Sequence, residues 1–320
     1  MVLDSGDTAW MLVAGSLVLL MIPALGLFES GLLRKKNATS IFMQIFFGLA
    51  LLSVMWFVFG FSLSFGPSTM GLGGNLDWVF LKGVPSDAPL EQYAPTIPGV
   101  LFVKFQLMFA AITPLLLTGT IAERMKFSSF IIFISAWSML IYYPLVHWVW
   151  GGGWLAEFGV VDFAGGIVIH TSVGMAALAA AIVLGKRSNY GPAIMIPHSI
   201  PLAVLGSSLL WLGWFGFNAG SAFAASGGVD GLLFGNPDQL WIQAVGIAVA
   251  AAMGFGGTWV ILQIIKHLIG IRVSPEVEDV GLDISEHAES AYSDEEEFML
   301  EMDEYTEDLK DKDEILRRKK

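Results

Sequence analysis

The residues with the most chemistry to offer lie between Trp148 and Arg187. They read W-V-W-G-G-G-W, then D-F-A-G-G at positions 162–166, then I-V-I-H-T-S-V-G-M, entering an apolar stretch that ends in Lys186 and Arg187. Three tryptophans, Asp162 and His170 therefore stand beside or inside a run long enough to cross a hydrocarbon core of about 30 Å. An imidazole at that depth is costly, so by default it faces a cavity or a pathway; the plainer alternative is a neutral ring hydrogen-bonded to a neighbouring helix. Small residues surround it (Gly165, Gly166, Ser172, Gly174, Ala176, Ala177), which lets other helices approach closely. Trp148 and Trp150 offer indole faces of the kind that attract a cation, or else belong to an interfacial aromatic belt. Asp162, just before a helix start, reads as an N-cap.

Something must hold these groups, and composition says what. With 55% hydrophobic and 14% charged residues over 320 positions and a mean hydropathy of +0.66, the chain is a polytopic membrane protein rather than an ordinary soluble domain. There is no cysteine, hence no disulfide and no thiolate metal site. No nucleophile–base pair or metal-ligand cluster stands out, so no enzyme, cofactor or resident metal is expected, nor a nucleic-acid partner. The start M-V-L-D-S-G-D has no basic n-region, so the first apolar run is expected to be a retained span rather than a cleaved signal.

Seven apolar runs are long enough to span: Thr8 to Leu32, Ala38 to Leu63, Pro98 to Thr118, Phe127 to Val149, Gly165 to Leu184, Ile200 to Ala224 and Leu240 to Ile265. Arg34, Lys35, Lys36, Arg124, Lys126, Lys186, Arg187, Lys266 and Arg272 flank alternate connections, Lys82 and Lys104 being the exceptions. The positive-inside rule then puts the N-terminus outside and the C-terminus in the cytoplasm. Residues 1–273 hold 11 acids and 11 bases, a neutral transmembrane domain, whereas 274–320 hold 18 acids and 6 bases, a cytoplasmic tail that carries the whole net charge of −12. Within the tail, Phe298, Met299, Met302, Tyr305, Leu309, Ile315 and Leu316 recur at loosely helical spacing, before a basic end at Arg317 to Lys320. The loop from Gly66 to Thr96, rich in Gly and Pro, suits a structured extracellular cap.

The W-G-G-G, D-F-A-G-G and following histidine, with F-Q-L-M-F-A-A-I-T around Phe109 and G-W-F-G-F-N-A-G-S around Phe217 and Ser221, resemble the ammonium transporter (Amt/Mep/Rh) family. The likeness runs from Thr8 to about Ala225 and again from Gly231 to Tyr292. It implies an all-α membrane bundle, a homotrimer in the cell membrane with one pore per subunit, and ammonium or ammonia as the substrate. By the same resemblance, Trp150, Phe109 and Ser221 form an external recruitment site and Asp162 shapes it without touching the cation. Phe109 and Phe217 are similar to the paired gating rings, and His170 to the first of two pore histidines. From spacing alone, any of these phenylalanines reads as core packing. The segment G-L-D-I-S-E-H-A-E resembles the family's control segment, which in many members meets a PII-type regulatory protein; Ala288 stands where a glycine is usual.

One departure is large. The family has eleven helices in two inverted five-helix repeats plus a last one. Here the first repeat runs to about residue 187, a sixth helix covers about 200–224 and the final helix about 240–265. The equivalents of helices seven to ten are missing, and with them the second pore histidine. F-E-S-G in the first span and F-N-A-G in the sixth echo each other across an odd number of spans, as inverted repeats do. The expected function is ammonium/ammonia transport, impaired in so short a chain; the alternative is a non-conducting ammonium sensor or regulatory subunit. A seven-helix retinal protein is disfavoured because Lys266 lies at the membrane edge rather than in mid-helix.

Overall fold

In the computed structural model, residues 2–188, 190–191, 195–225 and 238–292 are described. Among the described residues, seven helices are long and apolar enough to cross a membrane: α1 (Ser5–Leu32), α2 (Lys35–Phe65), α3 (Gly99–Ile121), α4 (Phe127–Glu157), α5 (Gly166–Leu184), α6 (Ile200–Gly220) and α7 (Gln239–Leu268). The hydropathic runs foresee all seven. The sixth stops at Gly220 rather than Ala224, because the backbone turns there: Phe223 adopts φ 55° and donates its N–H to the Gly220 carbonyl. The chain is a multi-pass membrane protein. Four of the spans carry one π turn each, at Trp56–Gly60, Ser138–Tyr142, Gly166–Thr171 and Met253–Gly257, local under-winding of a kind often found at functional sites.

The bundle is organised around α3, the most buried span, and around the crossing of α1 with α6. In α6, Gly206 and Gly213 are seven residues apart and face the α1 backbone. A Cβ on Gly206 would come within 2.3 Å of the Phe28 nitrogen, and one on Gly213 within 2.0 Å of Met21 Cγ. Close backbone contact of this sort lets membrane helices gain packing where no hydrophobic drive exists between them. The outward side of α6 is bare: Trp211 is 74% and Phe215 63% exposed.

At one end of the bundle the loop after α2 folds over the helix ends. It contains two short hairpins, β1 (Ser68–Thr69) with β2 (Gly73–Gly74) and β3 (Pro89–Leu90) with β4 (Ala94–Pro98). Trp148 Nε1 donates to the Leu72 carbonyl at 2.8 Å and the Tyr93 hydroxyl to the Phe65 carbonyl at 2.7 Å, so the cap is tied to α4 and α2.

At the opposite end the basic connections converge. The Glu123 carboxylate, almost wholly buried, meets Arg34 at 3.0 Å and Arg187 at 3.1 Å. Burial pushes this carboxyl up, but the Arg34 hydrogen bond and the two guanidinium charges outweigh that and hold it below the usual carboxylate range. Two short helices, α8 (Pro275–Val280) and α9 (Leu282–His287), lie against the same end. Their carboxylates cap backbone N–H groups there. Glu278 accepts from Ser188 N at 2.8 Å, Asp283 from Thr39 N and Ser40 N at 2.9 and 2.6 Å, and Glu286 from Phe127 N at 3.0 Å. Asp283 thus supplies the acceptor that Asn37 fails to offer at the start of α2. Burial pushes the Asp283 carboxyl up to about 6, against the pull of these N–H donors. The loosely helical spacing from Phe298 to Leu316 and the basic end at Arg317 to Lys320 lie outside the described residues.

Ala288 closes α9 with φ 54°. That left-handed conformation costs an L-residue with a Cβ roughly 1–2 kcal/mol, so Ala288→Gly is expected to tighten the docked segment. Slower hydrogen exchange across Leu282–His287 in the variant would show this, and unchanged exchange would refute it.

Candidate functional site

Under the loop cap lies a cavity of about 340 Å³, walled by Phe109, Trp150, Asp162, Ser221, Tyr93 and Gln106 among others. That is room for an ammonium-sized cation with several waters, each of which takes about 30 Å³. Trp150 sits where α4 ends its regular turns, and its Nε1 donates to the Asp162 carbonyl at 2.7 Å, which fixes the indole plane. The Phe109 ring stands edge-on to it, 6.2 Å between centroids. Ser221 caps α6, and its hydroxyl proton is committed to the Phe217 carbonyl at 2.8 Å, so the Ser221 oxygen has its lone pairs left as acceptors.

Behind Phe109 the rings continue. Phe217 packs against Phe109 at 4.3 Å, and His170 follows at 6.2 Å from Phe217 and 5.5 Å from Trp214. Phe109 and Phe217 are buried, at 2% and 1% exposure, and close the cavity on that side. The series Trp150, Phe109, Phe217, His170 runs from the loop cap into the depth of the bundle, drawn from α4, α3, α6 and α5 in turn.

Asp162 is held by backbone alone. Its Oδ1 accepts from Gly165 N and Gly166 N at 2.7 and 2.9 Å, and its Oδ2 from Ile167 N and Val168 N, both at 2.8 Å. All four orphan donors at the start of α5 are thereby satisfied by one carboxylate. The Gly165 backbone at φ 101° makes that wrap feasible.

The structure thus gathers Trp150, Phe109, Ser221 and Asp162 on one cavity, sets Phe217 behind it and His170 one ring further. The four other histidines lie elsewhere. His147, fully buried, pairs with Ser68 Oγ and the Ser64 carbonyl; His198, His267 and His287 belong to the end with the basic connections. One lining residue escaped the sequence reading. Gln106, a polar side chain inside an apolar span, is 6% exposed and sits one turn from both Phe102 and Phe109 on the face of α3 that lines the cavity. Its position inside F-Q-L-M-F is the signal that could have found it.

Among the described residues, the far side of His170 is open. His170 is exposed and shares a stripe of α5 with Gly166, Gly174, Leu178 and Ile182; a Cβ on Gly166 or Gly174 would meet nothing within 4 Å among the described residues.

Fold and cavity together define a multi-pass helical membrane protein with an aromatic pocket, from which a series of ring contacts runs to a histidine of the fifth span. The sequence profile of the Ammonium Transporter Family matches residues 9–231 and 223–292, and the chain belongs to that family. Ammonium transporter 1 of Dictyostelium discoideum is 36% identical, over 90% of this chain and 88% of that protein. Ammonium transporter Amt1 of Archaeoglobus fulgidus is 41% identical over 82% of this chain and 62% of its own length, and the Bacillus subtilis ammonium transporter 46% over 70% and 54%. The chain thus spans little more than half of several relatives it matches. The Dictyostelium alignment covers 407 positions; 90% of 320 residues is about 288, so about 119 positions have no counterpart here. Length of that order is enough for four spans. Among solved structures, one titled Sensor Amt Protein superposes with a TM-score of 0.78 at 26% identity, over 88% of this chain and 98% of that one. Saccharomyces cerevisiae Mep2 superposes with a TM-score of 0.75 at 24% identity, over 86% and 88%, a likeness of fold.

Proposed function

We propose that the chain recruits ammonium at the cavity formed by Trp150, Phe109 and Ser221, and that Phe109 and Phe217 gate the way to His170, the acceptor of ammonia once a proton is lost. The observation that carries this reading is the unbroken series of rings from the cavity to the histidine, 6.2, 4.3 and 6.2 Å apart. Aromatic faces and a hydroxyl acceptor suit a cation that also donates hydrogen bonds. The tight ring pair suits neutral ammonia, since an isolated ion entering such surroundings faces a Born cost of tens of kcal/mol. Asp162, with its oxygens already engaged, shapes the site. The loop cap then faces outward and the basic end inward, where the Gly281 to Tyr292 segment is a docking place for a PII-type regulatory protein. The assembly is a homotrimer, as in the resemblance; a monomer by native mass measurement would refute that part.

A second reading is favoured by the open stripe at His170 and by the likeness to a protein titled Sensor Amt Protein: the chain binds ammonium without passing it. Both readings share the recruitment site. Trp150→Leu removes the indole face, an attraction of roughly 0.5–2 kcal/mol, and is expected to raise the ammonium concentration needed for half-maximal thermal stabilisation of the purified protein by several-fold. Unchanged concentration dependence would falsify the site. Flux of ammonium into vesicles separates transporter from sensor.

A further inference from the structure

The recruitment cavity contains a polar group that the family resemblance did not assign. Gln106 of α3 lines the cavity together with Phe109 and Tyr93, nine-tenths buried. Its Oε1 is buried with no hydrogen-bond donor in reach. A buried amide oxygen without a donor carries a desolvation cost that proteins seldom leave uncompensated. Of the other polar groups that line the cavity, the Asp162 oxygens take four backbone N–H groups, the Trp150 N–H goes to a carbonyl, the Ser221 proton goes to Phe217 and the Tyr93 proton to Phe65, while Gln92 lies exposed at the surface.

We propose that Gln106 is a second hydrogen-bond acceptor for the recruited cation, working with Ser221 to hold two of its N–H groups while Trp150 and Phe109 face its charge. Nothing among the described residues fixes the rotation of the amide, so a half-turn aims the carbonyl oxygen into the cavity. Water occupies that acceptor when the cation is away, and ammonium, with four donors, replaces it without leaving the amide unpaired. Two acceptors and two aromatic rings on one cavity favour a small cation rich in N–H. A bare alkali ion of similar size also takes oxygen ligands, but it needs a full shell of them to replace its water, and two acceptors supply only part of one; an alkylated amine fills the space with carbon. The specificity of the cavity is thereby assigned to a pair of polar atoms, one on α3 and one at the end of α6. This inference rests on the recruitment reading above.

The test uses the full chain, with ammonium chloride as ligand, sodium chloride as the ionic control, and the concentration for half-maximal thermal stabilisation as readout. Gln106→Met keeps the length and removes both polar atoms; it is expected to leave the ligand-free melting temperature near native and to raise the ammonium midpoint about tenfold, the size of a lost hydrogen bond to a charged group. Gln106→Glu restores an acceptor and is expected to bring the midpoint back to native or below. A native midpoint in Gln106→Met, with Trp150→Leu still weakened, overturns the role of Gln106 and leaves the recruitment site standing. Failure of Gln106→Glu to rescue a weakened Gln106→Met also overturns it, by showing a packing effect. If the native chain gains no more from ammonium than from sodium, the recruitment reading fails and this inference with it. Should Gln106→Met not fold, Gln106→Asn, which withdraws the amide by one methylene, takes its place: a raised midpoint supports the proposal and an unchanged one overturns it.

Discussion

Asp162→Ala is expected to destabilise the protein by about 3 kcal/mol and to abolish ammonium binding in the same step. One carboxylate accepts four backbone N–H groups at 2.7 to 2.9 Å, and alanine leaves all four without a protein partner at the start of α5. Losing an N-cap alone costs roughly 0.5–2 kcal/mol, and each hydrogen bond to a charged group is worth about 1.5–3 kcal/mol. The simple sum is too large, because Gly166 is exposed and water reaches part of the turn, hence the intermediate figure. Binding goes with stability because the Asp162 carbonyl holds the Trp150 indole at 2.7 Å, so a loosened turn releases the ring that faces the cation. Asp162→Asn keeps one acceptor oxygen but turns an NH₂ toward backbone donors, so it recovers a minority of the loss. Thermal unfolding of the purified variants with and without ammonium measures both effects. A variant lacking the carboxylate that melted and bound like the native chain would show that water caps the helix equally well.

How much of this was legible in the sequence depends on how far each interaction reaches along the chain. The spans were legible because hydropathy is local, and the helix start at Asp162 because its four partners lie within six residues. The cavity was not readable from periodicity, since Trp150, Phe109 and Ser221 come from three helices, and only the resemblance joined them. Gln106 was overlooked because a single polar residue in an apolar run gives no sign of whether its amide is bonded; the burial and the lack of partners exist only in three dimensions. The caps that Glu278, Asp283 and Glu286 place on distant backbone were likewise invisible, the Asp283 contacts spanning more than 240 residues. An acidic tail reads as a solvated one until the N–H groups it satisfies are known.

The second large effect concerns conduction. Selective passage of ammonia needs a closed apolar wall around the deepest polar group, because water or ions leaking beside it remove the Born barrier that makes the path selective. Among the described residues the wall has one side. His170 is ringed by Trp214 and Phe217 on the α6 side, yet its other face lies open beside Gly166 and Gly174, glycines whose missing side chains meet nothing among the described residues. Small-residue faces in membrane helices are built to pack against other helices, and Trp211 and Phe215, 74% and 63% exposed, extend the bare surface along α6. The Dictyostelium relative carries about 119 aligned positions that this chain lacks (407 against 288), room for four spans. No single contact can stand in for them, since interhelical polar contacts in membranes average about 0.6 kcal/mol. The 320-residue chain in proteoliposomes is therefore expected to pass ammonia no faster than protein-free vesicles, read as the internal pH change after an ammonium jump. A chimera with the relative's four-span block inserted between Ala225 and Asp238 is expected to conduct, and to lose flux on His170→Ala. Rapid flux through the short chain alone, abolished by that same substitution, would sink this account and show that half a wall, or a neighbouring copy, is enough to enclose the path.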